Sequence, residues 1–213
     1  MKLIASRALF TLEKGVFLSV FLLTGCALPL PDKPVRPQPY DLGPALPLAA
    51  STAPSGSALA LYRVEAPAAI DGTHIIYRLN HGDGGQQPRP YAQARWTMSP
   101  PQLLTQRLRE AFSATRPVVE PGAGLAPLDL RAELDEFAQI FSTPEASEGV
   151  VRLRVTAIAP GAKTYRLVGQ RTFEVRRPAP SADAAGGVKA LRQAADEVAR
   201  QVVEWVNALP APR

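Results

Sequence analysis

The chain has 213 residues, of which 46% are hydrophobic, and a net charge of +5 at pH 7. This length fits one domain of ordinary size with a leader and a tether, and the lack of a Lys/Arg cluster in the sequence argues against a nucleic-acid-binding protein. The single cysteine excludes an internal disulfide, so packing has to stabilise the fold in an oxidising compartment.

The N-terminal 25 residues have the layout of a secretory signal that ends in a lipobox. A basic start is followed by an apolar run from Val16 to Leu23, which is shorter than the roughly 20 residues that span a bilayer. Leu23-Thr24-Gly25-Cys26 then matches the pattern at which bacterial lipoproteins are cut before the cysteine and acylated on its thiol. We predict a signal peptide over residues 1–25 and lipidation of Cys26. An uncleaved signal anchor with an incidental cysteine is the alternative.

Cleavage before Cys26 would leave a mildly basic, membrane-anchored chain. Three basic residues and one acidic residue leave with the signal, so the net charge falls from +5 to +3. Acyl chains such as palmitate would hold the protein firmly, because each buried methylene contributes about 0.8 kcal/mol. Residue 27 is alanine, and as a rule of thumb an aspartate there retains bacterial lipoproteins in the inner membrane. We therefore expect an outer-membrane anchor in a Gram-negative bacterium, with the body facing the periplasm.

Residues 26–57 are predicted to be the lipidated cysteine and a proline-rich tether. Eight prolines fix φ and remove hydrogen-bond donors along this segment. Such a run is extended, at about 3 Å per residue, and disorder is compatible with the same composition. Tyr40-Asp41-Leu42-Gly43-Pro44 is the one part of it with side chains suited to pack on a domain. The folded domain is predicted to span residues 58–213.

The first half of that domain predicts three strands and a helix. The strands are expected at residues 59–64, 75–79 and 91–97, where branched and aromatic side chains are bounded by turn signals. Ser99-Pro100-Pro101-Gln102 matches a capping box with proline at the first helical position. Leucines spaced by four then predict an amphipathic helix that ends before Pro117.

The second half predicts three more strands and a long final helix. Alternation of apolar and polar residues indicates strands at 128–135, 151–157 and 165–175, which short turns would join into an antiparallel meander. Phe137 breaks the alternation, so we expect a bulge or a strand end there. Apolar residues from Val188 to Leu209 step by three and four, as in a helix that covers a sheet.

The predicted element order is β-β-β-α-β-β-β-α. It favours an α+β class with a single domain, built from a mainly antiparallel sheet of about five to six strands and two helices on one face. The polar face of the meander would set Asp129, Glu133 and Asp135 near Arg152, Arg154 and Arg166. Such cross-strand pairs contribute roughly a few tenths of a kcal/mol each. We interpret them as an ordinary solvated face; an ionic docking face is the alternative.

The sequence contains no motif that points to catalysis, a cofactor or a metal. It has neither a phosphate-binding Gly-rich loop nor a Gly-x-Ser-x-Gly elbow. His74 and His81 are the only histidines and make a poor metal-ligand set. Glu133, Asp135 and Glu136 cluster on a predicted strand, where charge is expected on the polar face. We predict a binding or assembly component and not an enzyme; a hydrolase using Asp135 and Glu136 is the least favoured hypothesis.

A series of motifs along nearly the whole chain resembles one protein family. The motifs are, in order, the lipobox, Tyr40-Asp41-Leu42-Gly43-Pro44, Ile76-Tyr77-Arg78, Arg95-Trp96, Pro100-Pro101-x-Leu103-Leu104, Leu134-x-Glu136-Phe137, Val151-Arg152-Leu153-Arg154, Gln170-Arg171-Thr172-Phe173 and Gly186-Gly187-Val188 with Trp205. Together they resemble the ABC-type transport auxiliary lipoproteins of the PqiC type. No single motif is diagnostic, but their order is.

The resemblance implies a non-catalytic part in an envelope lipid-transport system. In such systems an ATPase and a permease lie in the inner membrane and an Mce-domain protein bridges the periplasm. The auxiliary lipoprotein would dock to that Mce protein at the outer membrane, with a ring of copies as one arrangement. A general outer-membrane assembly or scaffold lipoprotein, which binds a β-barrel or the cell wall, is the alternative.

Overall fold

The computed structural model describes residues 35–44, 56–81, 84–122, 124–161 and 164–210. The predicted signal peptide, Cys26 and most of the predicted tether lie outside these residues. Within them, no helix is both long enough and apolar enough to cross a membrane. The elements are β1 (Gln38–Tyr40), β2 (Leu59–Leu61), β3 (His74–Leu79), β4 (Arg89–Trp96), α1 (Pro100–Ser113), β5 (Val118–Val119), β6 (Leu128–Phe141), β7 (Ser147–Pro160), β8 (Tyr165–Pro178) and α2 (Ala184–Asn207).

All the described strands belong to one eight-stranded sheet, with the long strand β6 near its centre. On one side of β6, β7 pairs antiparallel along its whole length, and β8 pairs antiparallel with β7. This confirms the predicted meander. On the other side, β2 and β3 lie end to end along β6, and both are parallel to it. β4 and β1 continue outwards from β3, and β5 lies outside β2.

The prediction of a mainly antiparallel sheet of about five to six strands is wrong. The sheet is mixed and has eight strands, and four of its seven pairings are parallel: β1 with β4, β2 with β5, β2 with β6 and β3 with β6. Alternation along a strand determines which side chains are buried, but it carries no information about which strand lies alongside. β1 and β5 have three and two residues, which is too short to show a period. The α+β class is retained.

Strand β6 has a bulge where its alternation breaks. Its register with β7 shifts between Leu134 and Glu136, as the sequence predicted close to this point. Before the shift the buried side chains include Leu130 and Leu134, and after it they include Phe137 and Gln139. The bulge therefore moves the buried set from even to odd positions, and it brings the polar side chain of Gln139 into the interior.

Helix α2 packs on β7 and β8, and α1 packs on α2. The backbone N–H of Ser99 donates to Oε1 of Gln102 at 3.1 Å, which is the contact that the capping-box pattern predicts at the start of α1. At the start of α2, the side chain of Asp183 accepts a 2.8 Å hydrogen bond from the backbone N–H of Gly186. That bond lowers the pKa of the Asp183 carboxyl.

Glycine lets α2 approach the sheet closely. A Cβ atom at Gly149 of β7 would lie only 2.5 Å from the backbone nitrogen of Leu191 and 2.7 Å from the carbonyl carbon of Ala190. Both of those atoms belong to the main chain of α2, so no side-chain rotation can relieve the overlap. The helix and the strand therefore meet backbone to backbone at this point, and any side chain at residue 149 has to push them apart.

Gly149→Ala should destabilise the protein by about 1–3 kcal/mol, the usual cost of overpacking a core. The measurement is the urea-unfolding midpoint followed by circular dichroism. Gly72→Ala is the matched control, because a Cβ there would meet nothing closer than the His74 ring nitrogen at 3.5 Å. Equal midpoints for Gly149→Ala and the wild-type protein would contradict the close helix–strand contact.

Candidate functional site

The segment that precedes the predicted domain is bound to the body of the protein. β1 extends the sheet by pairing with β4, and the backbone N–H of Thr97 donates to the carbonyl of Tyr40 at 2.8 Å. The chain then turns at Gly43, which has a φ of +62° and donates its N–H to Oδ1 of Asp41 at 2.7 Å. Leu42 is buried between these two residues. Residues 38–44 thus lie on the domain, in agreement with the apolar and turn-forming character of this patch.

Arg107 of α1 connects this segment to both helices. Its Nη2 atom donates to the carbonyl oxygens of Leu42 at 2.8 Å and Gly43 at 2.9 Å. Its Nε atom lies 3.2 Å from Oδ1 of Asp196 in α2, and the arginine side chain is only 4% exposed. Arg192 completes the cluster, because its Nη2 donates to the carbonyl of Pro44 at 3.0 Å while its Nε lies 3.9 Å from Asp196. We call Arg107, Arg192 and Asp196 the arginine clamp.

The arginine clamp is a buried ion cluster in which burial and ion pairing have opposite effects on the pKa of Asp196. Burial raises the pKa of the Asp196 carboxyl, and the Arg107 and Arg192 guanidinium groups oppose that rise. Removal of one partner from such a cluster leaves an uncompensated buried charge, which costs more than the loss of a surface ion pair. The clamp therefore holds three distant parts of the chain in one arrangement: residues 42–44, α1 and α2.

A groove with a volume of about 690 Å³ lies beside the arginine clamp. Helix α1 and the residues after it contribute Arg107, Ala111 and Thr115, the end of β8 contributes Arg177, and the remaining lining comes from α2. Ala111 and Ala199 are almost fully buried there, and Val203 is half-buried. Small apolar side chains thus line its floor, and long charged side chains stand along its edges.

Glu197 lines the groove and is strongly paired. Arg200 donates from Nε to Oε2 of Glu197 at 3.0 Å, and Arg177 lies 3.8 Å from the same carboxylate oxygen. The hydrogen bonds from Arg200 lower the pKa of the Glu197 carboxyl to about 2. At neutral pH Glu197 is therefore ionised and already compensated by two guanidinium groups, so it adds little net negative charge to the groove.

A second buried polar cluster lies under the start of α2. Gln139 accepts a hydrogen bond from the Tyr91 hydroxyl at 2.8 Å and donates to Oγ of Ser147 at 2.8 Å. A Cβ atom at Gly187 would lie 2.0 Å from Oε1 of Gln139, so only glycine leaves room for this amide. Burial, with smaller contributions from Tyr77 and Asp183, raises the pKa of Tyr91 to about 12. Tyr91 thus stays protonated and serves as a hydrogen-bond donor.

The structure does not bring the two histidines together. His74 begins β3 and His81 follows its end, so about 23 Å of extended chain separates them. Within the described residues, no group of three or more His, Cys, Asp or Glu side chains is placed to hold a metal ion. The two histidines therefore lie apart, one at each end of β3.

Three of the four acidic residues of β6 pair with arginines, whereas Asp129 is buried and accepts a 3.3 Å hydrogen bond from the Tyr62 hydroxyl. Glu133 and Asp135 both pair with Arg154, at 2.7 Å and 3.5 Å, whereas Glu136 pairs with Arg78 at 3.3 Å. On the neighbouring strands Arg152 pairs with Glu174 at 2.7 Å. These charges compensate one another on a solvent-exposed face, where each pair contributes less than about 1 kcal/mol. The arrangement favours a solvated sheet face, and it does not set Asp135 and Glu136 as an acid and base pair.

Residues 40–203 match the family described as the ABC-type transport auxiliary lipoprotein component. The chain belongs to this family. The match begins at Tyr40, which is the end of β1, and so it includes the segment that the arginine clamp holds. No curated protein matches the sequence.

Solved structures show the same fold at low sequence identity. Protein XCC0632 from Xanthomonas campestris, of the family DUF330, is similar with a TM-score of 0.61 and 22% identity over 70% of this chain and 82% of that chain. An uncharacterized protein has a TM-score of 0.61 and 15% identity over 80% of this chain and 99% of its own. The hypothetical protein CT253 from Chlamydia trachomatis has a TM-score of 0.51 and 8% identity over 71% of this chain and 96% of that chain. These likenesses establish the architecture of this family member and leave its activity open.

Arg107→Ala should lower the free energy of unfolding by about 3–5 kcal/mol, because it leaves Asp196 buried without its nearest cation. Chemical unfolding measures this loss. Arg109→Ala is the matched control on the same helix: Arg109 makes an exposed ion pair with Glu120 at 3.0 Å, and its removal should cost less than about 1 kcal/mol. Similar losses for the two variants would mean that the clamp is not a stabilising centre.

Glu197→Gln should make the stability of the protein less dependent on pH in acid. Because the folded-state pKa of Glu197 lies below its ordinary value of 4.5, its contribution is present above pH 4.5 and is lost as the pH falls towards about 2. The effect should be less than about 1 kcal/mol, since solvent screens the pair. Urea midpoints at a series of pH values between 6 and 2 test this; parallel curves for the variant and the wild-type protein would count against it.

Proposed function

We propose that this chain is an outer-membrane-anchored periplasmic lipoprotein, and a non-catalytic auxiliary component of an ABC/Mce-type system that transports lipid across the envelope. It would dock to the Mce-domain protein that extends from the inner-membrane permease and its ATPase. The observation that carries this proposal is the family match over residues 40–203. The lipobox at Cys26 and the alanine at residue 27 support the anchor and its location.

The arginine clamp supports the proposal that the domain is held at a fixed point on the segment that leads to its lipid anchor. A lipidated chain positions a domain only if the segment that leads into the domain is itself held. Here β1 is hydrogen-bonded to β4, and Arg107 holds the carbonyls of Leu42 and Gly43. A pull on residue 38 would have to break these bonds before it reached the core. The domain would therefore keep a defined point of attachment to its anchor while it binds a partner.

The side-chain chemistry of the described residues supports binding rather than catalysis. The carboxylates of Asp135 and Glu136 pair with different arginines, and the two histidines lie at opposite ends of β3. The interior is instead stabilised by close contacts such as the edge-to-face packing of Trp96 on Phe137, whose ring centroids are 5.6 Å apart. A rigid α+β domain on an anchored segment suits a docking element.

A pull-down of the tagged, full-length lipoprotein from gently solubilised envelopes tests the partner. The expected result is recovery of an Mce-domain protein with its permease and ATPase, identified by mass spectrometry. Recovery of a β-barrel or cell-wall components alone would favour the general scaffold hypothesis instead. Native mass spectrometry of the same preparation measures the number of copies of this chain and so tests whether the copies form a ring.

Cys26→Ala should release the protein from the outer-membrane fraction, because it removes the atom that carries the acyl chains. Ala27→Asp is the companion variant, since it keeps the cysteine and should move the protein to the inner-membrane fraction. Density-gradient separation of the two membranes and immunoblotting measure both effects. A Cys26→Ala protein that stays in the outer membrane would refute lipid anchoring at this residue.

A further inference from the structure

The groove between α1 and α2 has the size of a small-ligand site. Its volume is about 690 Å³, which lies within the range of about 300–1,000 Å³ that is usual for such sites.

The groove has an apolar floor in the part that is lined by the C-terminal half of α2. Ala111 on α1 faces Ala199 and Val203 on α2, and the methylene chains of the flanking arginines and Lys189 extend the apolar wall. The lining residues of α2 run from Lys189 to Asn207, a distance of about 27 Å at 1.5 Å per residue. One acyl chain spans half of a hydrocarbon core, or roughly 15 Å. The groove can therefore accept one acyl chain and leave space for a polar head.

The charges along the groove favour an anionic head. Its lining carries five cationic side chains (Arg107, Arg177, Lys189, Arg192 and Arg200) and three acidic ones (Asp196, Glu197 and Glu204), a net charge of +2. Asp196 is compensated by Arg107, and Glu197 by Arg200. Lys189 is exposed and has no carboxylate within 4.0 Å among the described residues. An anion bound beside Lys189 would gain a charge partner without displacing an existing pair.

We propose that this groove binds a single-chain anionic amphiphile, with its acyl chain along Ala111, Ala199 and Val203 and its anionic head beside Lys189. The class includes fatty acids and lysophospholipids of net negative charge. Arg192 and Asp196 of the arginine clamp line the groove between Lys189 and Ala199, so the same residues that hold residues 42–44 also shape the ligand site. Binding here would need no second protein, so it can be present or absent independently of docking to a transporter.

Photolabelling in isolated envelopes tests the site with the full-length chain. The probe is a fatty acid that carries a diazirine on its chain and a terminal alkyne; after irradiation the tagged protein is purified, and labelled peptides are identified by mass spectrometry. Label should concentrate on peptides that contain Ala111 or the 199–203 stretch. A large excess of unlabelled fatty acid should suppress it at least fivefold, because a defined site saturates. Label that is spread over exposed residues, or is not suppressed, would overturn the proposal.

Two variants separate the chain site from the head site. Val203→Trp fills the groove and should reduce the label about tenfold; Leu167→Trp adds the same ring at an exposed position of β8 that is not among the groove residues and should leave it unchanged. Lys189→Glu reverses a surface charge with little risk to folding and should weaken binding of the acid about tenfold, which corresponds to about 1.4 kcal/mol. The melting midpoint of each variant confirms that it is folded.

The uncharged methyl ester of the same probe tests the head group. It should label the wild-type groove at least fivefold less than the acid does, and Lys189→Glu should not weaken it further. Equal labelling by acid and ester would overturn the anionic assignment. A photoreactive amino acid at residue 203 that captures a protein, with no suppression by fatty acid, would show that the groove is a protein interface and would also overturn the proposal.

Discussion

The arrangement of the two helices and of residues 42–44 depends on the buried guanidinium of Arg107. It contacts two backbone carbonyls and the carboxylate of Asp196, all of them distant from it in sequence, and its Nη1 lies 3.7 Å from the carboxylate of Glu110 on the same helix. Burial of this guanidinium is compensated by the two hydrogen bonds from Nη2 and by the ion pair of Nε with Asp196, so residues 42–43 and Asp196 are constrained to meet it. Residues 38–44, which composition alone assigns to a tether, are therefore part of the folded body.

The sheet depends on a second constraint, which is the close approach of α2. Gly149 lets the helix touch β7, and Gly187 leaves space for the buried amide of Gln139. That amide reaches the interior only because the bulge in β6 shifts the buried side chains by one position. The bulge in β6, the burial of Gln139 and the glycine at residue 187 therefore depend on one another. The Gly-Gly pair at the start of α2 is explained by packing rather than by catalysis.

Both constraints, the clamp and the close approach of α2, determine the shape of the groove between α1 and α2. Helix α2 is held to the sheet at its start by the glycine contacts and to α1 by the clamp near its middle, and the space beyond the clamp is lined by alanines too small to close it. Long arginine and lysine side chains border this space, and most of their charges are already paired. A groove with a charged rim and a narrow apolar floor therefore follows from where the two helices are fixed.

Much of the local structure could be predicted from the sequence by itself, because it rests on short-range physics. The capping box at Ser99, the alternation in β6 to β8 and the stepped apolar residues of α2 each act within a few residues, and the helices, the meander and the bulge follow from them. The lipobox and the family resemblance are likewise patterns along the chain. Only the tertiary structure decided four features. These are the parallel placement of β2 and β3 on β6, the short strands β1 and β5, the burial of Gln139, and the arginine clamp. Each of them joins residues far apart in sequence, and a pattern along one strand or helix specifies which side chains are buried without specifying what they meet.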